Sequence, residues 1–194
     1  MKNKLALMGS DICFENIAYL LNDVDIVFIA DDPNSEVFVK AKDLGAECRY
    51  IPKEELASFF AVNNFDLIAL TNYADVLPDD VLTLGKFVNI HPSLLPSFKS
   101  NDAMYMAYMA GVKVSGVTVH WVTADIDGGK IIAQYPVLIG NTTHFDEFKN
   151  DIIKLEQSLY PIVIDKLLKD EVFDFHDLVG SCGSGCSSCG SCHG

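Results

Sequence analysis

Apolar and polar positions along the 194-residue chain fall into two alternating kinds of segment. Residues 47–51 read as a further short strand, and predominantly apolar runs occupy residues 5–8, 25–30, 66–70 and 86–89. The apolar runs read as buried strands, because a strand covered on both faces needs apolar side chains throughout. Between them lie stretches with helical spacing: from the Gly9-Ser10-Asp11 turn through Leu21, over about 35–44, and from Pro52 to about 62. Gly45 supplies a stop for the second stretch and Pro52 a start for the third. Strands and helices alternating in this way predict an α/β fold, a Rossmann-like, mostly parallel sheet flanked by helices.

Beyond Pro96 the pattern changes. Residues 100–110 have helical spacing and stop at Gly111, while 114–122 and 131–139 alternate and are β-branched. The last two segments predict a pair of antiparallel neighbouring strands joined through Asp127-Gly128-Gly129. Thr142 or Thr143 is placed to cap a long helix from Phe145 to about Lys169, with Asp146 and Glu147 in its first turn and Pro161 expected to kink or interrupt it. Residues 1–178 are therefore expected to form one domain and 179–194 a separate, disordered Gly/Ser/Cys-rich tail.

Composition narrows the partners. Hydrophobic residues make up 49% and charged residues 21%, values suited to a globular core. The net charge of −13 disfavours nucleic acid, which needs a run of cations on its phosphates. Arg49 is the one arginine, so bidentate clamping of an anion is scarcely available, and an anionic ligand would depend on backbone N–H groups, helix N-termini and lysine. No apolar run approaches a membrane span and no signal peptide is apparent, which makes a cytoplasmic protein the expectation. Cys13 and Cys48 lie in apolar surroundings and read as buried free thiols. Oligomeric state is not legible.

The chemistry concentrates in residues 88–98, Val-Asn-Ile-His-Pro-Ser-Leu-Leu-Pro-Ser-Phe, and in Ile126-Asp127-Gly128-Gly129. A buried strand ending at Asn89 would release Asn89 and His91 at its carboxyl end, the edge where ligands bind in open α/β sheets. In extended chain the two side chains share a side. An amide suits the oxyanion of acyl transfer, an imidazole can donate to that oxyanion or take an amine proton, and a carboxylate can orient the imidazole.

These motifs, with Thr118-Val119-His120-Trp121-Val122 and Lys130-Ile131-Ile132-Ala133-Gln134, resemble the folate-dependent formyltransferases, and within them the glycinamide ribonucleotide branch. The resemblance is close over roughly 86–163 and looser before. It implies transfer of a formyl group from 10-formyltetrahydrofolate to an amine, most closely glycinamide ribonucleotide in purine biosynthesis. It carries the family's catalytic trio onto Asn89, His91 and Asp127. It sets the folate between loops 70–77 and 122–127, which contain Tyr73, Val76, Leu77, Val122, Thr123 and Asp125. Gly9, Ser10 and Glu156 then fall at the acceptor, with Glu156 at its ribose. His120 matches a family histidine, and a core histidine is an equal reading. No metal is expected in the active site.

Two stretches depart from that branch. Met8-Gly9-Ser10-Asp11-Ile12-Cys13-Phe14 keeps only Gly9 and Ser10 of the usual phosphate-cradling loop and adds the charge of Asp11. Thr71-Asn72-Tyr73-Ala74-Asp75-Val76-Leu77 lacks the usual Met-Arg of the folate cleft. Formylation of another amine such as an amino sugar nucleotide, hydrolysis of formyltetrahydrofolate, and a non-catalytic folate- or metal-binding accessory role stay open. In the tail, Cys182, Cys186, Cys189 and Cys192 have spacing that could ligate zinc or an iron–sulfur cluster, and a merely reduced tail is the plainer alternative. Cys189 to His193 also match the c-type haem attachment pattern, disfavoured without export.

Overall fold

A computed structural model describes residues 2–10, 13–73 and 75–174 of the chain. Seven strands form one sheet: β1 (Lys4–Gly9), β2 (Asp25–Ala30), β3 (Glu47–Tyr50), β4 (Leu67–Thr71), β5 (Phe87–His91), β6 (Val114–Trp121) and β7 (Ile131–Leu138). Their spatial order is β3-β2-β1-β4-β5-β6-β7. The pairings from β3 through β5 are parallel, and β5–β6 and β6–β7 are antiparallel. The helices are α1 (Phe14–Leu20), α2 (Val37–Asp43), α3 (Leu56–Val62), α4 (Asp79–Leu82), α5 (Ala103–Met109) and α6 (Phe145–Leu168). This is the expected α/β architecture, with its antiparallel pair at one edge.

The period of two along each strand distributes side chains between two cores. Leu5 and Leu7 of β1, Leu67 and Ala69 of β4, and Val88 and Ile90 of β5 join Phe14, Ile17 and the α6 residues Phe148, Ile152, Leu159 and Val163. The alternate residues Ala6, Met8, Ile68, Leu70 and Phe87 meet Leu56 and Phe60 of α3 and Val81 of α4. Asn89 and His91 follow Phe87 at intervals of two, so they lie on this second face, beyond the apolar cover.

Local signals explain most boundaries. Gly45 adopts φ 66° after α2, and the amide of Ala46 donates to the Ala41 carbonyl at 2.8 Å, closing the helix in the manner a left-handed glycine permits. Pro52 precedes a single 3-10 turn, Lys53–Glu55, which leads into α3.

Four expectations are corrected. α5 begins at Ala103, three residues later than its pattern suggested. The α6 cap is His144, whose amide donates to the Glu147 side chain at 3.0 Å, while the Thr143 hydroxyl instead accepts from the Gly140 amide. α6 also runs unbroken past Pro161, because its apolar stripe is buried along its length and outweighs one missing donor. Finally, β5 continues through His91, since β6 pairs with it as far as His91 opposite Thr118.

One α6 residue ties the sheet directly to the helix. Tyr160 is fully buried, and its hydroxyl lies 3.0 Å from the carbonyls of both Leu70 in β4 and Val88 in β5. Tyr160→Phe removes the hydroxyl proton that faces two buried carbonyls and should lower the unfolding free energy by about 1–3 kcal/mol, read from the urea midpoint at constant slope. A change under about 0.5 kcal/mol would show that the hydroxyl is dispensable.

Candidate active site

A cleft of about 230 Å³ opens at the carboxyl ends of β4 and β5. Its lining contains Asn89, His91 and Asp127, the residues expected to carry catalysis. It also contains all six expected at the folate, Tyr73, Val76, Leu77, Val122, Thr123 and Asp125, together with Glu156. Gly9 and Ser10 are not in the lining. The Ser10 hydroxyl donates to the Asn72 carbonyl at 3.2 Å and accepts from the Asn72 amide at 2.8 Å. Gly9 sits at φ 125° against the Thr71 carbonyl, where a Cβ would come within 2.2 Å of the oxygen. Asp11 and the four tail cysteines lie outside the described residues. Among the described residues, no group of three or more His, Cys, Asp or Glu could hold a metal ion, and no helix is long and apolar enough to cross a membrane.

The β5–β6 register builds the centre of the site. Asn89 stands opposite His120, and His91 opposite Thr118. Nδ2 of Asn89 lies 3.3 Å from Nε2 of His120, whose Nδ1 is 3.0 Å from the Trp121 carbonyl. A carbonyl only accepts, so the His120 proton sits on Nδ1 and Nε2 is left to accept from Asn89. Burial, the largest influence, pushes the His120 pKa down, against the Trp121 carbonyl and Asp127, and favours this neutral ring. The approach of Asp127 Oδ1 to Nε2, 3.7 Å, is therefore a close contact rather than an ion pair. The Asn89 amide is held by one N–H, and its second N–H has no partner among the described residues and can meet a ligand oxygen.

His91 is fixed from two sides. Its Nε2 is 3.0 Å from the Phe98 carbonyl, and its Nδ1 faces Oδ2 of Asp127 at 3.5 Å. The carbonyl places a proton on Nε2, and a second proton on Nδ1 would meet the carboxylate. Asp127 itself adopts φ 49°, a left-handed conformation that a short polar side chain tolerates better than most. Gly129 lets the loop close, because a Cβ there would lie 1.7 Å from the Trp121 carbonyl oxygen. The Asp-Gly-Gly sequence is thus a geometric requirement for presenting Asp127 to the two imidazoles.

This constellation suits acyl transfer, with an amide donor, an imidazole and a carboxylate at one end of a cleft walled by Val76, Leu77, Val122 and Ile126. The formyl transferase family model matches residues 28–164. The chain belongs to the formyl transferase family. Its chemistry is folate-dependent one-carbon transfer. It is 37% identical over 154 residues to phosphoribosylglycinamide formyltransferase of Bacillus subtilis (strain 168), an alignment covering 73% of this chain and 79% of that protein. It is 32% identical over 174 residues to formyltetrahydrofolate deformylase 2, mitochondrial, of Arabidopsis thaliana, covering 80% of this chain and 52% of that one. The crystal structure of phosphoribosylglycinamide formyltransferase from Bacillus halodurans superposes with a TM-score of 0.80 at 30% identity, covering 89% of this chain and all of that one (100%).

Several features of this cleft were not legible in the sequence. His120 was readable equally as core or catalytic, and only strand register shows it bonded to Asn89. Cys13 was expected to be buried and is, but it also lines the cleft, its thiol pKa pushed up chiefly by burial and then by Glu156. The resemblance set Glu156 at the acceptor but did not show its burial. Glu156 is 3% exposed because it lies on the α6 stripe of Phe148, Ile152 and Tyr160, a spacing of four that was visible in the sequence.

Burial raises the Glu156 pKa from 4.5 to about 8, and Oε2 has no partner among the described residues. The carboxyl is thus neutral in the fold and ionised in the unfolded chain over that interval. Its contribution to stability is complete below 4.5 and is lost as pH rises through about 8. Thermal melts from pH 5 to 8.5 should show the wild type losing stability relative to Glu156→Gln as pH rises. Parallel curves for the two proteins would mean that Glu156 is ionised in the fold.

Proposed function

We propose that this chain transfers a formyl group from 10-formyltetrahydrofolate to the primary amine of glycinamide ribonucleotide. The observation that carries the reading is the convergence of Asn89, His91 and Asp127 on one cleft, in the order and setting of a formyltransferase. The resemblance of most of the chain to a phosphoribosylglycinamide formyltransferase supports the acceptor.

Loops 70–77 and 122–127 flank the cleft, and their apolar side chains and backbone edges fit a flat heterocycle with polar margins. When bound, the folate supplies the formyl carbon. Asn89 directs its free N–H at the oxygen that gains charge in the tetrahedral intermediate. His91, held through Nε2, presents Nδ1 beside Asp127, so the imidazole can carry a proton between the attacking amine and the departing nitrogen while the carboxylate balances its charge. Glu156, as a neutral acid, can donate to a hydroxyl of the acceptor as well as accept from it.

One observation favours a second reading. The lining includes Asp75, Asp125, Asp127 and Glu156, and among the described residues it includes no Lys or Arg. A phosphate inside the cleft would find no cationic side chain there, which favours a different amine, or water as in the deformylase relative.

Tetrahydrofolate release from 10-formyltetrahydrofolate separates these outcomes. Release that requires glycinamide ribonucleotide is expected; release with another amine only, or with none, would replace the acceptor by that amine or by water. Asn89→Ala should lower kcat by roughly a hundred- to a thousandfold, the loss of one oxyanion donor, with folate affinity little changed. Asp127→Asn should also lower kcat, because an amide cannot balance an imidazolium. Full activity in both variants would refute the assigned roles.

A further inference from the structure

We propose that Gln134, on the edge strand β7, is a positioning residue that sets the tautomer of His91 through the loop of residues 92–98. The inference rests on the catalytic reading of His91 given above.

Gln134 never touches His91, and it is absent from the cleft lining. Its Nε2 donates to the Leu95 carbonyl at 2.8 Å and to the Thr118 hydroxyl at 3.0 Å, which uses both of its N–H groups. The Thr118 hydroxyl accepts from the Leu95 amide at 3.0 Å and donates to the Ser93 carbonyl at 2.6 Å. One proton given and two accepted saturate that oxygen. Thr118 and Ser93 are fully buried and Leu95 nearly so, so a bond lost here is not replaced by water.

The clamp governs the far end of the same loop. The Ser93 hydroxyl donates to the Ser97 carbonyl at 2.6 Å, and the Ser97 amide donates to the Leu94 carbonyl at 3.1 Å. Immediately after comes Phe98, held at φ 56°, a conformation that a bulky residue keeps only under constraint from its surroundings. That conformation aims the Phe98 carbonyl at Nε2 of His91. The chain of contacts therefore runs from Gln134 through Leu95, Thr118 and Ser93 to Ser97, Phe98 and the imidazole. Loosening the loop releases the acceptor that keeps the proton on Nε2, and the neutral ring is then free to place it on Nδ1, against Asp127 and the cleft.

Ring 15N NMR of His91, in chain labelled at histidine and assigned by His91→Gln, reads this directly, without any substrate. The wild-type neutral ring should show a protonated Nε2 and an unprotonated Nδ1. Gln134→Leu should give a mixture of tautomers and a kcat lower by roughly ten- to a hundredfold, with folate KM within about twofold of wild type. Gln134→Glu preserves size and tests the case in which Gln134→Leu does not fold. Its carboxylate cannot donate, so its kcat relative to wild type should fall, and should recover as pH drops and the group regains a proton. Thr118→Ser, which keeps the hydroxyl, should retain the wild-type ring spectrum, and Thr118→Val should not. An unchanged His91 spectrum in Gln134→Leu and Gln134→Glu overturns the inference. A wild-type chain that transfers no formyl group to any acceptor refutes the proposed function but leaves the tautomer measurement standing.

Discussion

The antiparallel pairing of β5 with β6 sets Asn89 opposite His120 and His91 opposite Thr118, and the site follows from that register. Side chains alternate with a period of two, so a slip of β6 by one residue would turn His120 and Thr118 to the other face of the sheet. The ladder also lengthens β5 to His91, so the imidazole rests on a strand rather than on a loop. β6 then returns through Trp121 to the Asp127 loop, which closes only because Gly129 lies against the Trp121 backbone. One sheet edge thereby supplies the amide and both imidazoles, and positions the carboxylate.

Burial decides the protonation of this edge as much as charge does. Desolvation keeps His120 neutral beside Asp127 and pushes Glu156 toward its acid form. Cys13 and Tyr160 are moved in the same direction by burial, and Glu156 adds to both shifts. The chain carries a net charge of −13, yet the groups deepest beneath the cleft are uncharged acids and a neutral imidazole. The other carboxylates in the lining are Asp75, Asp125 and Asp127, the last of which approaches both rings.

Much of this was legible in the chain. Apolar runs located β1, β2, β4 and β5, because burial on both faces favours that pattern, and Gly45 and Gly111 marked helix ends through their left-handed backbone. Asn89, His91 and Asp127 could be named together because the family resemblance carried them onto its motifs, and the fold brings all three to one cleft. Features that depend on a partner segment were not legible. The cap of α6 went to His144 because the Thr143 hydroxyl was engaged by Gly140, and Pro161 failed to break a helix held by its buried stripe. Thr118 and Gln134 look like ordinary strand residues, and only the fold shows a saturated hydrogen-bond clamp between them. His120 shares that limit, since its pairing with Asn89 spans 31 positions.

The central claim is that the β5–β6 register leaves one N–H of Asn89 free at the place where the formyl oxygen gains charge. A crystal structure of the chain with a hydrolytically stable 10-formyl folate analogue tests it most directly. The formyl oxygen should lie about 3 Å from Nδ2 of Asn89, with the formyl carbon facing His91 and Asp127. A formyl group bound elsewhere in the cleft, or an Asn89 amide whose second N–H is taken by protein, would contradict the account.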